Sequence, residues 1–196
     1  MPPLDLLAGT DTWRVTLALD AARLREFTSL LQEGVAVPVR EGTPVLRFLT
    51  DQLGIDAQDV AERVTTVFLD GQVVDDLGAA LLRDGSSLAL SAALPGVGAT
   101  MRRNGAYAAM RATISRSSET ASPPLAAGAV GTVRVKLFNL LIEELGPALL
   151  RHGIVLDAGA ARDALAFWSD CIGSPAGGAP VFLRVSFVEA SRCTST

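Results

Sequence analysis

The chain has 196 residues, 49% of them hydrophobic, with 17 Lys and Arg against 21 Asp and Glu, a formal net charge of -4. That length carries one large or two small domains, and that apolar share excludes a disordered chain. The acidic balance offers no long-range attraction to nucleic acid or to anionic lipid. No apolar run reaches the roughly 20 residues that cross a bilayer. The opening MPPLDLLAGTDTW has no basic region leading into an apolar core, so the expectation is a cytoplasmic protein. Two cysteines, Cys171 and Cys193, are too few for a disulfide scaffold.

Trp13, Val15, Leu17 and Leu19 alternate on one face of WRVTLAL, the period of a half-buried strand. Ala21 to Gln32 changes to helical spacing through Leu24, Phe27, Leu30 and Leu31, and Gly34 stands where that helix would end. Val35 to Gly42 alternates again; Pro38 cannot donate to a ladder, which predicts an edge strand or an exposed position. Thr43 before Pro44 reads as a cap followed by a first-turn proline, opening a helix through Val45, Leu46, Leu49 and Leu53 to Gly54. IDAQDVAERV is a short helical connection. Val67 to Leu69 and Gln72 to Val74 flank Asp70-Gly71, a pair suited to the positive φ angles of a tight hairpin. Asp84-Gly85 repeats the device before SLALSAAL.

Asn104-Gly105 leaves Thr100 to Arg116 open between a strand pair and a helix, and SSETASPPLAAGAVGT has the composition of a linker. The expected division is therefore 12–99 as one complete α+β unit, 100–131 as extension and linker, and 132–190 as a shortened second unit. An internal echo supports the second unit. Leu30, Leu31, Gly34, Leu46, Phe48, Asp51 and Gly54 align without a gap on Leu149, Leu150, Gly153, Leu165, Phe167, Asp170 and Gly173.

VKLFNLLIEELGPALLRHGIVLDAGAARDALAFW, Val135 to Trp168, with Phe138, Leu141, Glu144 and Leu145, resembles the opening of the MoaD/ThiS sulfur carriers, the molybdopterin-synthase small-subunit branch. VFLDGQVVDD is similar to that family's Val-Asn-Gly hairpin. LLRDGSSLALSAALPGVGA is similar to its last strand and glycine-ended tail. The resemblance implies a ubiquitin-like β-grasp fold of α+β class, a non-catalytic module that binds proteins, and no cofactor. It also implies a partner such as an adenylating enzyme or a molybdopterin-synthase large subunit. The implied contact or carrier tail is Leu94, Pro95, Gly96, Val97 and Gly98, with Arg102 and Arg103 beside it. Because the chain runs on through Met101-Arg102-Arg103, carrier chemistry would require a cut near Gly98. The alternative is a structural tandem-domain protein with no sulfur-transfer role.

Other candidates read more plainly. His152, the single histidine, has no ligand cluster at metal spacing and reads as a helix-end residue near carbonyl dipoles. Cys193 reads as an incidental thiol and Cys171 as packed. Asp75 and Asp76, adjacent on an extended segment, would point to opposite faces rather than cooperate as acid and base. Ser86 and Ser87 lack a histidine in any triad motif. Pro95-Gly96-Val97-Gly98 lacks the lysine and Ser/Thr of a phosphate loop. No catalytic or metal residue is therefore expected.

Overall fold

The structure, a computed structural model, describes residues 12–92, 102–103, 129–166 and 179–188. In chain order these give β1 (Trp13–Asp20), a 3-10 segment (Ala21–Phe27) running into α1 (Thr28–Glu33), β2 (Val35–Arg40), and α2 (Val45–Arg47) continued by a π turn (Phe48–Gln52). There follow α3 (Ala57–Arg63), β3 (Thr66–Leu69), β4 (Gln72–Val73), β5 (Ser87–Ser91), β6 (Val130–Phe138), α4 (Leu141–His152), β7 (Ile154–Leu156), α5 (Ala158–Ala164) and β8 (Val181–Val188). The protein is of α+β type, with one mixed sheet of eight strands in the order β1-β8-β7-β2-β6-β5-β3-β4.

That order interleaves the two halves of the sequence. β2 runs antiparallel to β6, register Val35 to Val135, and β6 runs parallel to β5, register Leu88 to Val135. β1 does not pair with β2; it lies parallel to β8, Val15 beside Leu183, and forms an edge of the sheet. Strands from 12–99 and from 132–190 thus share one sheet. The echo between them survives as geometry. α1 ends on Gly34 (φ 105, ψ 132) and α4 on Gly153 (φ 114, ψ 142), each turning directly into a strand, and those strands, β2 and β7, meet antiparallel at Ala36 and Val155.

Alternation along each strand sorts the residues to two faces. One face collects Val15, Leu17, Leu19, Val35, Val37, Val39, Leu88, Leu90, Val133, Val135, Leu137, Ile154, Leu156, Val181, Leu183 and Val185 into one continuous core. The helices close it, through Leu31 of α1, Val45 of α2, and Leu141, Leu145 and Leu149 of α4. Gly146 lets α4 approach α1, since a Cβ there would stand 3.1 Å from Leu31 Cδ1.

Local chemistry follows the sequence closely in several places and departs from it in two. Asp20, Asp56 and Asp157 each accept a backbone N–H of the turn they start, at 2.7 to 2.9 Å. Asp70 (φ 52) and Gly71 (φ 78) form the hairpin as expected. Thr43, however, does not cap α2; its hydroxyl donates to the Arg40 carbonyl at 2.7 Å, and Pro44 occupies the cap position. Pro38 is buried on an interior strand rather than at an edge. Its carbonyl faces His152 Nε2 at 3.5 Å, and the N and C=O of one strand residue point the same way. The missing donor therefore faces the end of β7, whose pairing with β2 is confined to Ala36 and Val155.

Candidate functional site

The second face of the sheet carries the positions that alternate with the core. Across the strands these are Arg14, Thr16, Ala18 and Asp20 on β1; Phe182, Arg184 and Ser186 on β8; and Val155 on β7. They continue with Ala36, Pro38 and Arg40 on β2; Thr132, Arg134, Lys136 and Phe138 on β6; Ser87 and Ala89 on β5; and Phe68 on β3. Arg14, Arg40, Arg134, Lys136 and Arg184 make this face cationic in a chain of net charge -4, and Asp20 at the tip of β1 is the one carboxylate on the described strands.

Registers place the charges. Arg14 is level with Phe182, Val155, Ala36 and Arg134, so at about 4.8 Å per strand the two guanidinium-bearing Cα atoms stand about 19 Å apart. Arg134 and Lys136 are successive outward positions of β6, and Arg184 is level with Thr16. Arg134 Nη1 donates to the Gly34 carbonyl at 3.3 Å. The Nε of Arg184 is buried with no hydrogen-bond partner among the described residues. The ion pairs among the described residues join Arg23 to Glu26, Arg47 to Asp51, and Arg63 to Asp59 and Glu144. Arg14, Arg134, Lys136 and Arg184 take part in none of them.

Acidic loops bound the face at one end. Asp84 accepts from Thr132 N at 2.7 Å, where β6 begins, and Glu41 Oε1 accepts from Asp84 N at 3.3 Å. Gly131 exists for this contact: a Cβ there would lie 2.7 Å from the Asp84 Cβ. Asp84 and Glu41 thus border the cationic field where β6 begins and β2 ends.

Of the residues expected from sequence, Leu94, Pro95, Gly96, Val97 and Gly98 lie outside the described residues, as do Cys171 and Cys193. Arg102 is exposed. Arg103 is turned inward onto α3, donating from Nε to Val64 O at 3.1 Å and from Nη2 to Val64 O at 3.0 Å and Val60 O at 3.2 Å. It closes the C-terminal end of that helix. Burial pulls its pKa below the usual arginine value, and nearby Asp75 opposes that pull. Asp76 is spent on a turn, accepting from Gly78 N at 2.8 Å. Ser86 Oγ donates to Asp70 Oδ2 at 3.1 Å, while Ser87 N donates to Asp70 Oδ1 at 2.7 Å, so Asp70 ties its hairpin to the next turn.

His152 does end α4, but the carbonyl dipoles do not win. It is buried edge-on to Phe48, ring centroids 6.4 Å apart at 85°, and desolvation lowers its pKa despite the backbone contacts with Pro38 and Gln52. Among the described residues no group of three or more His, Cys, Asp or Glu is placed to hold a metal ion, and no helix is long and apolar enough to cross a membrane. The cationic face itself is absent from the sequence expectations. Its signal is present all the same, as one basic residue at an outward position in WRVTLAL and VFLRVSF and two in VRVKLF.

No protein-family model, curated protein or solved structure matches the chain.

Proposed function

We propose that the chain is a non-catalytic β-grasp interaction module whose cationic sheet face binds a short acidic segment of a protein partner. The observation that carries the reading is the gathering of Arg14, Arg134, Lys136 and Arg184 on one face, outside the ion pairs among the described residues. Opposite potentials of this kind steer and orient a partner. About six extended residues would span from Arg14 to Arg134. The β-grasp reading draws support from β2-β6-β5-β3-β4, a mixed run with a parallel central pair, antiparallel flanks and helices across one side. An acidic peptide is favoured over nucleic acid because the cationic field is confined to a few strands of a chain of net charge -4, which offers a long polyphosphate no attraction beyond that field.

The test is fluorescence anisotropy of labelled hexaglutamate, hexaglutamine and a single-stranded oligonucleotide of about a dozen thymidines with the full chain. Hexaglutamate should bind in a salt-dependent way, and Arg134→Glu with Lys136→Glu should abolish that binding while circular dichroism stays unchanged. Equal binding of the two peptides, or stronger binding of the oligonucleotide, overturns the reading.

The resemblance to sulfur carriers suggests an adenylating enzyme or a molybdopterin-synthase large subunit as the source of such a segment. A carrier role in its own right needs a chain end near Gly98. Intact-mass measurement on protein from native cells that finds a single full-length species removes the carrier version and leaves the interaction module.

A further inference from the structure

Among the described strands β1 is an edge strand, paired with β8 alone. Its odd residues face β8, as the Trp13 N–H to Pro180 carbonyl bond of 3.0 Å shows, so the N–H and C=O groups of Arg14, Thr16, Ala18 and Asp20 point out of the sheet edge. Eight regular residues without proline or bulge form this edge, features that leave a strand open to addition. For two copies meeting antiparallel, outward-pointing residues must stand opposite one another, and core-side residues must meet core-side residues. Both conditions restrict the registers to those that pair even positions with even positions.

One of these registers, centred on Leu17, pairs Arg14 through Asp20 with the same residues of the second copy. It sets Arg14 opposite Asp20 of the second copy and Thr16 opposite Ala18, each twice by symmetry. Val15 then meets Leu19, and Leu17 meets its own copy. Opposite charges so placed share the cationic side of the sheet, and about eight interchain hydrogen bonds would close. The registers two residues away, centred on Thr16 and on Ala18, each lose one hydrogen-bonded pair and separate Arg14 from Asp20. We infer that the protein forms a symmetric dimer through antiparallel β1–β1 pairing in the Leu17-centred register, a closed isologous contact that makes one sheet of two copies. This rests on the edge alone and not on the acidic-partner reading; Arg134, Lys136 and Arg184 remain on the face of each copy.

Sedimentation equilibrium of the full chain from about 1 µM to 1 mM should show a reversible monomer–dimer equilibrium. Arg14→Glu, which sets like charges opposite each other, should weaken it about tenfold, and adding Asp20→Arg should restore it. The second change also removes the Asp20 cap on Ala22, so the fold is checked by circular dichroism and the swap is judged on the dissociation constant. Thr16→Pro removes an outward N–H that has no partner among the described residues, a substitution edge strands tolerate, and should leave a folded monomer. A chain monomeric to 1 mM overturns the inference. So does an Arg14→Glu dimer as tight as the wild type, or one that Asp20→Arg fails to restore. An undiminished dimer of folded Thr16→Pro overturns it as well.

Discussion

Gly153 and Gly34 occupy matching helix-to-strand junctions, which turns their replacement by alanine into a controlled pair. Their backbones are nearly the same, φ 114 and ψ 142 against φ 105 and ψ 132, a region essentially reserved for glycine at about 1–3 kcal/mol for any other residue. Their surroundings differ. A Cβ on Gly153 would stand 2.2, 2.6 and 3.0 Å from three atoms of the Phe182 ring, a side chain that is 2% exposed and has little room to withdraw. A Cβ on Gly34 would meet Lys136 Cγ at 2.8 Å and Arg134 Cγ at 3.0 Å, the stems of two flexible side chains. Overpacking a rigid site adds about 1–3 kcal/mol. Gly153→Ala should therefore cost about 3–5 kcal/mol and Gly34→Ala about 2 kcal/mol, the backbone share being common to both. Urea unfolding at constant m measures each. Phe182→Ala supplies the cycle: in its presence Gly153→Ala should cost about 1–2 kcal/mol less, because the clashing ring is gone. Equal costs at the two glycines, or strict additivity with Phe182→Ala, would refute the placement of β8 over this junction.

Two further outcomes follow from buried polar groups. Arg103→Ala should destabilise by about 2 kcal/mol, the worth of charge-assisted bonds to the last carbonyls of α3, with Arg103→Lys recovering part of it; urea midpoints and amide exchange at Val60 to Val64 read the effect. His152, its pKa lowered by burial, binds its proton less readily folded than unfolded. Stability should thus be flat above the unfolded value of about 6.5 and fall as pH drops below it, until the folded imidazole also titrates. Midpoints measured from pH 7.5 downward should show this slope, and His152→Phe should remove its contribution.

The elements were legible because their causes are local. Alternation in WRVTLAL, the helical spacing around Leu30 and Leu31, and Asp70-Gly71 each set φ, ψ and burial within a few residues. Strand partners are set by shape and apolar fit over long separations, and no local pattern announces that β6 rather than β1 lies between β2 and β5. The same gap explains Pro38. Proline excludes a donor, which is readable, but which side of an interior strand goes unpaired depends on where β7 stops. It explains the cationic face as well. Each outward arginine or lysine is an ordinary solvated residue of its own strand, and only the sheet order assembles Arg14, Arg184, Arg134 and Lys136 into one field.

Interleaving also constrains how the two halves can work. The long connection between β5 and β6 joins neighbours that run parallel, Leu88 beside Val135 and Leu90 beside Leu137, and both pairs are fully buried. β1 likewise depends on β8 for its one described neighbour. A cut in that connection near Gly98 would leave the first half with β2 and β5 facing an empty slot and β1 stripped of pairing. The fully buried Val35, Val37, Leu88 and Leu90 would lose the strand that lies between them. Exposed ladders of that kind re-pair or aggregate, so a cut chain would keep this fold only with both fragments in place. A free first half would lack β6, which lies between β2 and β5, and β8, the described neighbour of β1. Any carrier role would belong to a nicked two-fragment assembly, in which the cationic face, drawn from both halves, stays whole.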